Sequence, residues 1–92
     1  MPSHYRACVN LRLALHKLLR VEGFLQSPVD VQTIANDGTT AYIIKVKPPF
    51  GPVLAEQLSR ITGHLYFARE PSFVLFQNSI PSILTAAGVV DE

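Results

Sequence analysis

Residues 29–47, VDVQTIANDGTTAYIIKVK, decide the fold class. Val29, Val31 and Thr33 alternate with Asp30 and Gln32, the period-2 pattern of a half-buried strand. Asn36-Asp37-Gly38 is a turn signal, because Gly38 takes a positive φ without steric cost. Thr40–Lys47 is then rich in β-branched and aromatic residues, which suit a second strand. The stretch reads as a β-hairpin.

Upstream, residues 8–22, CVNLRLALHKLLRVE, change period. Cys8, Leu11, Leu15 and Leu18 recur at three- and four-residue steps with Leu19 beside them, in a background of strong helix formers. Gly23 follows directly and reads as the helix stop. Arg12, His16 and Arg20 fall at i, i+4 and i+8, which places them on one basic ridge opposite the apolar stripe.

Downstream, Pro48-Pro49-Phe50-Gly51-Pro52 interrupts regular structure and serves as a stiff boundary. Three segments are expected: a helix and hairpin lobe over 1–47, a proline-rich linker over 48–52, and a reduced lobe over 53–92. Residues 53–62, VLAEQLSRIT, suit a helix stopped by Gly63 and, by length, suit a strand equally well. His64–Ala68 reads as a strand, and Ser72–Gln77 as a short helix or a buried strand. Ile80–Leu84, with its internal proline, reads as an edge strand at best. Thr85–Gly88 reads as a turn of small residues, and Val89-Val90 as the start of a strand. The class is α+β: an N-terminal helix plus β-hairpin lobe, followed by a small, incomplete α+β C-terminal lobe.

Composition agrees with a small packed domain. The 92 residues are 48% hydrophobic and 16% charged, too apolar for a disordered tail. No apolar run approaches the roughly 18 residues of a membrane span. One cysteine, Cys8, excludes an internal disulfide framework and a cysteine-based zinc site. The net charge of +1 conceals a strong asymmetry. Residues 1–21 carry Arg6, Arg12, Lys17 and Arg20 and no acid, whereas the remainder carries four bases and all seven acids. That points to an anionic partner for the N-terminal segment. A basic, amphipathic, acid-free segment also has the character of a mitochondrial targeting sequence, or of a domain helix with a basic exposed face.

Catalytic patterns are missing. His4, His16 and His64 are far apart and form no metal-binding spacing, and no phosphate-binding glycine loop occurs. Cys8 falls on the apolar stripe, where packing is its expected role. Neither an enzyme nor a cofactor or metal site is expected.

In order along the chain, the segments resemble the small-subunit ribosomal protein of the eighth universal family. Leu11–Leu15 through Leu18-Leu19, closing in Val21-Glu22-Gly23-Phe24-Leu25, is similar to that family's second helix and its end. The hairpin Val29–Lys47 follows where the family has one. Leu58-Ser59-Arg60-Ile61-Thr62-Gly63 takes the place of a strand and a Ser-Lys/Arg-Pro-Gly turn. His64–Phe67 stands for a basic and aromatic strand, and Ser72–Gln77 for a short helical stretch. Ile80–Asp91 resembles the family's segment around a Ser-Thr-Ser-Lys-Gly loop, of which Thr85 and Gly88 remain. The family's first helix, its last helix and its closing strand have no counterpart here, and Thr62 replaces the proline of the Pro-Gly turn.

The resemblance implies a non-catalytic, structural protein of the small ribosomal subunit. It would bind the central domain of small-subunit ribosomal RNA and neighbouring ribosomal proteins, in a reduced, mitochondrial form. Arg6, Asn10 and Arg12 would meet RNA near the helix start, where free backbone N–H groups favour phosphate. Arg60, Thr85 and Gly88 would be the C-terminal lobe's contacts. A neighbouring chain or RNA would cover the incomplete sheet's open edge. The alternative is a non-enzymatic protein–protein interaction subunit of another large assembly, using that edge and the apolar segment Phe73–Phe76.

Overall fold

A computed structural model describes residues 4–20, 28–36, 39–67 and 72–89. In chain order the elements are α1 (His4–Leu19), β1 (Val29–Asn36), β2 (Thr39–Val46), α2 (Gly51–Thr62), β3 (Ser72–Phe76), a single 3-10 turn (Gln77–Ser79) and α3 (Ile80–Ala87). The three strands form one antiparallel sheet in the order β1-β2-β3. The protein is therefore a mixed α+β domain that opens with a helix and a hairpin.

The sheet obeys strand alternation. Val29, Tyr42, Ile44, Phe73 and Leu75 point to one face and are buried. They join Leu11, Ala14 and Leu15 of α1, Leu54, Ala55 and Leu58 of α2, and Ile80, Ile83 and Leu84 of α3 in one core cluster. Each fully buried Leu or Ile contributes on the order of 1.5–3 kcal/mol relative to exposure. The opposite face of the sheet carries Ile34, Val74 and Phe76, each about half exposed. Segments from both sides of the proline-rich stretch supply strands to this sheet and residues to this cluster.

The helix-and-hairpin reading of the first half holds, with shifted ends. α1 closes at Leu19, three residues short of the expected end at Glu22, because Arg20 adopts a left-handed backbone (φ 54°). The Arg20 N–H donates to the Lys17 carbonyl at 3.1 Å. The expected stop at Glu22-Gly23-Phe24 lies outside the described residues, as does the Asp37-Gly38 turn. The pairing of Asn36 with Thr39 leaves two residues for that turn, the commonest hairpin connection.

The second half departs from expectation in several places. Gly51 and Pro52, placed in a linker, begin α2, whose first turn tolerates proline because its N–H groups have no intrahelical acceptors. The ambiguous 53–62 stretch is helical, and Gly63 caps it at φ 78° with its N–H on the Ser59 carbonyl. His64–Phe67 is not a strand. The Ser59 Oγ accepts the Tyr66 N–H at 2.9 Å and draws the segment back along α2, where the Tyr66 ring meets Phe73 edge-on at 5.9 Å. Ala68 lies outside the described residues.

Ser72–Phe76 is a strand, not the short helix that the resemblance implies. Its inner residues Phe73 and Leu75 are buried while Val74 and Phe76 are exposed, so its continuous apolar run does not mean burial on both faces. Ile80–Ala87 is a helix, not an edge strand: Pro81 occupies the first turn. Thr85 is therefore helical rather than part of a turn, and Gly88 caps the helix at φ 72°. Val89 is not in a strand; its N–H donates to the Leu84 carbonyl at 2.9 Å. Val90 lies outside the described residues.

Candidate nucleic-acid interface

The core-facing side of α1 is fixed by Leu11, Ala14, Leu15 and Leu19. Its solvent side then carries Arg6, Val9, Arg12, Leu13 and Lys17, all exposed. The single basic ridge expected from Arg12, His16 and Arg20 does not form. His16 is half-buried, and the left-handed turn at Arg20 takes that side chain off the helical spacing. The cations of α1 are instead divided between its two flanks.

On one flank, Lys17, Leu18 and Arg20 meet Gln57, Arg60 and Ile61 of α2 and Ala86 and Ala87 of α3 around an open cleft of about 340 Å³. The C-terminal turns of all three helices converge here. Lys17, Arg20 and Arg60 are exposed. Arg60 Nη2 pairs with Glu56 Oε1 at 2.7 Å, and both side chains are about two-thirds exposed, so the pair exchanges readily for another anion. Lys17 and Arg20 make no ion pair with a described residue. Each helix C-terminus carries a partial negative charge of about half an electron, which offsets part of this cationic cluster.

The expected site residues divide accordingly. Arg60 is in the cleft, and Thr85 and Gly88 flank Ala86 and Ala87 at its α3 wall, with both exposed. Arg6 and Asn10 are elsewhere on α1; Arg6 is about 16 Å along the axis from Lys17 at 1.5 Å per residue, and both residues interact within the protein. Because α1 begins at His4, Asn10 and Arg12 lie more than a turn inside it, beyond its free N–H groups, so the expected assistance from the helix N-terminus does not reach them. Arg12 belongs to the opposite flank, facing β1.

Lys17 and Arg20 were legible as basic residues in the sequence, but not as partners of Arg60. Their meeting depends on tertiary contact between two helix ends. No group of three or more metal-ligating side chains occurs among the described residues. Cys8 is half-buried; burial pushes its thiol pKa up, against a hydrogen bond from Thr33 that pulls it down, with Asp30 adding a smaller upward push. No helix among the described residues is long and apolar enough to cross a membrane.

No family model matches the chain, and no curated protein or solved structure shows significant similarity to it.

Proposed function

We propose that this protein is a non-catalytic RNA-binding component of a ribonucleoprotein, and that it meets RNA through the cleft at the helix ends. The observation that carries this reading is the convergence of Lys17, Arg20 and Arg60 on one open surface. Phosphates of a folded RNA would replace Glu56 on Arg60 and lie against Lys17 and Arg20, while the Thr85 hydroxyl donates to a phosphate or a 2′-hydroxyl. Gly88 lets the backbone approach closely. With three cations, and helix ends of opposite sign behind them, RNA binding is weak and steeply salt-dependent.

The finer reading, a small-subunit ribosomal protein of mitochondria, rests on the resemblance in the first half and on the acid-free N-terminal segment. Within that reading α1 stays on the mature protein, because Leu11, Ala14 and Leu15 are fully buried in the core. The test is sedimentation of the tagged full chain in a native gradient, with and without nuclease. Migration with a ribosomal subunit that collapses on nuclease treatment supports the reading. Migration as a free monomer or small oligomer in both lanes refutes it.

A further inference from the structure

The other flank of α1 has a different architecture. Cys8, Val9 and Arg12 face Asp30, Val31, Gln32 and Thr33 of β1 across a groove of about 420 Å³. Successive strand side chains point to opposite faces, so a groove lined by four consecutive residues runs along the strand's edge. β1 is an edge strand of the sheet. α1 packs against β1 here, with Cys8 and Thr33 facing each other across the groove.

The register identifies the backbone groups presented there. The Lys47 N–H donates to the Pro28 carbonyl at 2.9 Å, so Pro28 and Lys47 form a hydrogen-bonded pair. Such pairs alternate along an antiparallel ladder. Asp30 with Lys45 and Gln32 with Ile43 are then bonded, while Val31 and Thr33 turn N–H and C=O away from β2 and toward the groove. Exposed edges are usually blunted by lysine, proline or a bulge. β1 contains no lysine or proline, and all eight of its residues pair in unbroken register. Above this edge stands Arg12, exposed and without an ion pair to any described residue, next to half-exposed Val9.

We propose that this groove takes an extended acidic peptide, which adds to β1 as a further strand and places a carboxylate on Arg12. In antiparallel addition, Val31 and Thr33 each exchange two main-chain hydrogen bonds with the peptide. Alternate apolar side chains lie against Val9 and Val31. The Arg12 guanidinium takes the carboxylate in a two-pronged contact. Asp30, exposed at the strand's start, disfavours a second acid there and so sets the peptide's register. This inference does not depend on the RNA reading, because the helix-end cleft lies on the other flank.

The experiment is an amide-resolved NMR titration of the full chain with a capped pentapeptide, Val-Thr-Glu-Thr-Val, whose valines share the glutamate's face, and with its Lys-centred counterpart. The glutamate peptide is expected to give saturable shifts and slowed exchange at the Val31 and Thr33 amides and to bind about tenfold more tightly than the lysine peptide, a difference of about 1.4 kcal/mol. Arg12→Glu, at an exposed position, reverses that preference. As a second variant, Val31→Pro removes an edge-facing donor that β2 does not use, and it abolishes binding while the sheet persists. Lys17→Glu weakens RNA binding and leaves the peptide unaffected. The proposal is overturned by an absence of saturable shifts at millimolar peptide, by shifts centred on Lys17 and Arg20, by a preference that Arg12→Glu leaves unchanged, or by displacement of the peptide with an RNA hairpin.

Discussion

Replacing Arg20 is the sharpest test of the helix-end cleft. Arg20 is exposed and left-handed (φ 54°), a conformation whose cost of about 1–2 kcal/mol the arginine already bears and alanine would not relieve. Asparagine tolerates that conformation, and Arg20→Asn therefore removes the charge with little effect on the fold. If Lys17, Arg20 and Arg60 each neutralise one phosphate, log K against log salt has a slope of about −2 to −3, at 0.7–0.9 per contact. Between about 50 and 200 mM salt, affinity then falls by about twenty- to fortyfold. Arg20→Asn reduces that fall to about seven- to twelvefold and weakens binding about five- to eightfold at 0.1 M salt. Fluorescence anisotropy with a labelled RNA hairpin, repeated across a salt series, reads both quantities. Lys47→Asn, at an exposed cation beyond β2, is the control and leaves the slope unchanged. A slope in Arg20→Asn equal to that of the parent would refute the cleft, even if overall affinity changed.

Glu56→Gln releases Arg60 from its ion pair. Stability should change by no more than about 0.5 kcal/mol, while RNA affinity rises in the same assay; unchanged affinity would remove Arg60 from the contact surface. Leu54→Ala empties a fully buried position and should cost about 3–5 kcal/mol in urea denaturation, a large share of the roughly 5–14 kcal/mol expected for a domain of this length. Gly63→Ala has open space around the new Cβ, so only the left-handed backbone opposes it, at about 1–2 kcal/mol; a much larger loss would mean the cap is crowded. For Cys8, burial raises the thiol pKa and the Thr33 hydroxyl opposes that rise. Thr33→Val therefore moves the pH midpoint of alkylation upward and slows the reaction near neutrality; a downward shift would contradict the assignment.

The first half of the fold was legible because each element carried a complete periodic signal. Leu11 and Leu15 mark one helical face, and Val29 and Val31 mark one strand face, with a glycine turn between the strands. The second half misled because its segments are short and apolar on more than one side. Val74 and Phe76 look like core residues, yet they occupy the uncovered face of the sheet. Pro81 reads as a mark of an interrupted edge strand, but no strand runs there, and the first turn of a helix accommodates it without loss. Leu65-Tyr66-Phe67 has strand composition, and one side chain decides otherwise: Ser59 takes the Tyr66 N–H that a neighbouring strand would have used. Arg60 was legible as a contact residue, but its companions were not, since Lys17 and Arg20 lie some forty residues earlier in the chain.

The division of cations on α1 has a consequence for how such a chain holds its place. The helix ends behind Lys17, Arg20 and Arg60 carry about −0.5 each, and Glu56 adds a full negative charge, so the cleft attracts RNA far less than three free cations would. A groove that offers two edge-strand residues and one arginine is likewise a low-affinity site. Because both surfaces sit on flanks of the same core-packed helix, one occupant holds the other's surface in a fixed position. The second contact then forms at an effective concentration in the millimolar range when a short, correctly spanning connection joins the two ligands. Retention in an assembly would therefore require both flanks, and a variant lacking either Arg12 or Arg20 should leave a native particle more readily than its single-site affinity predicts.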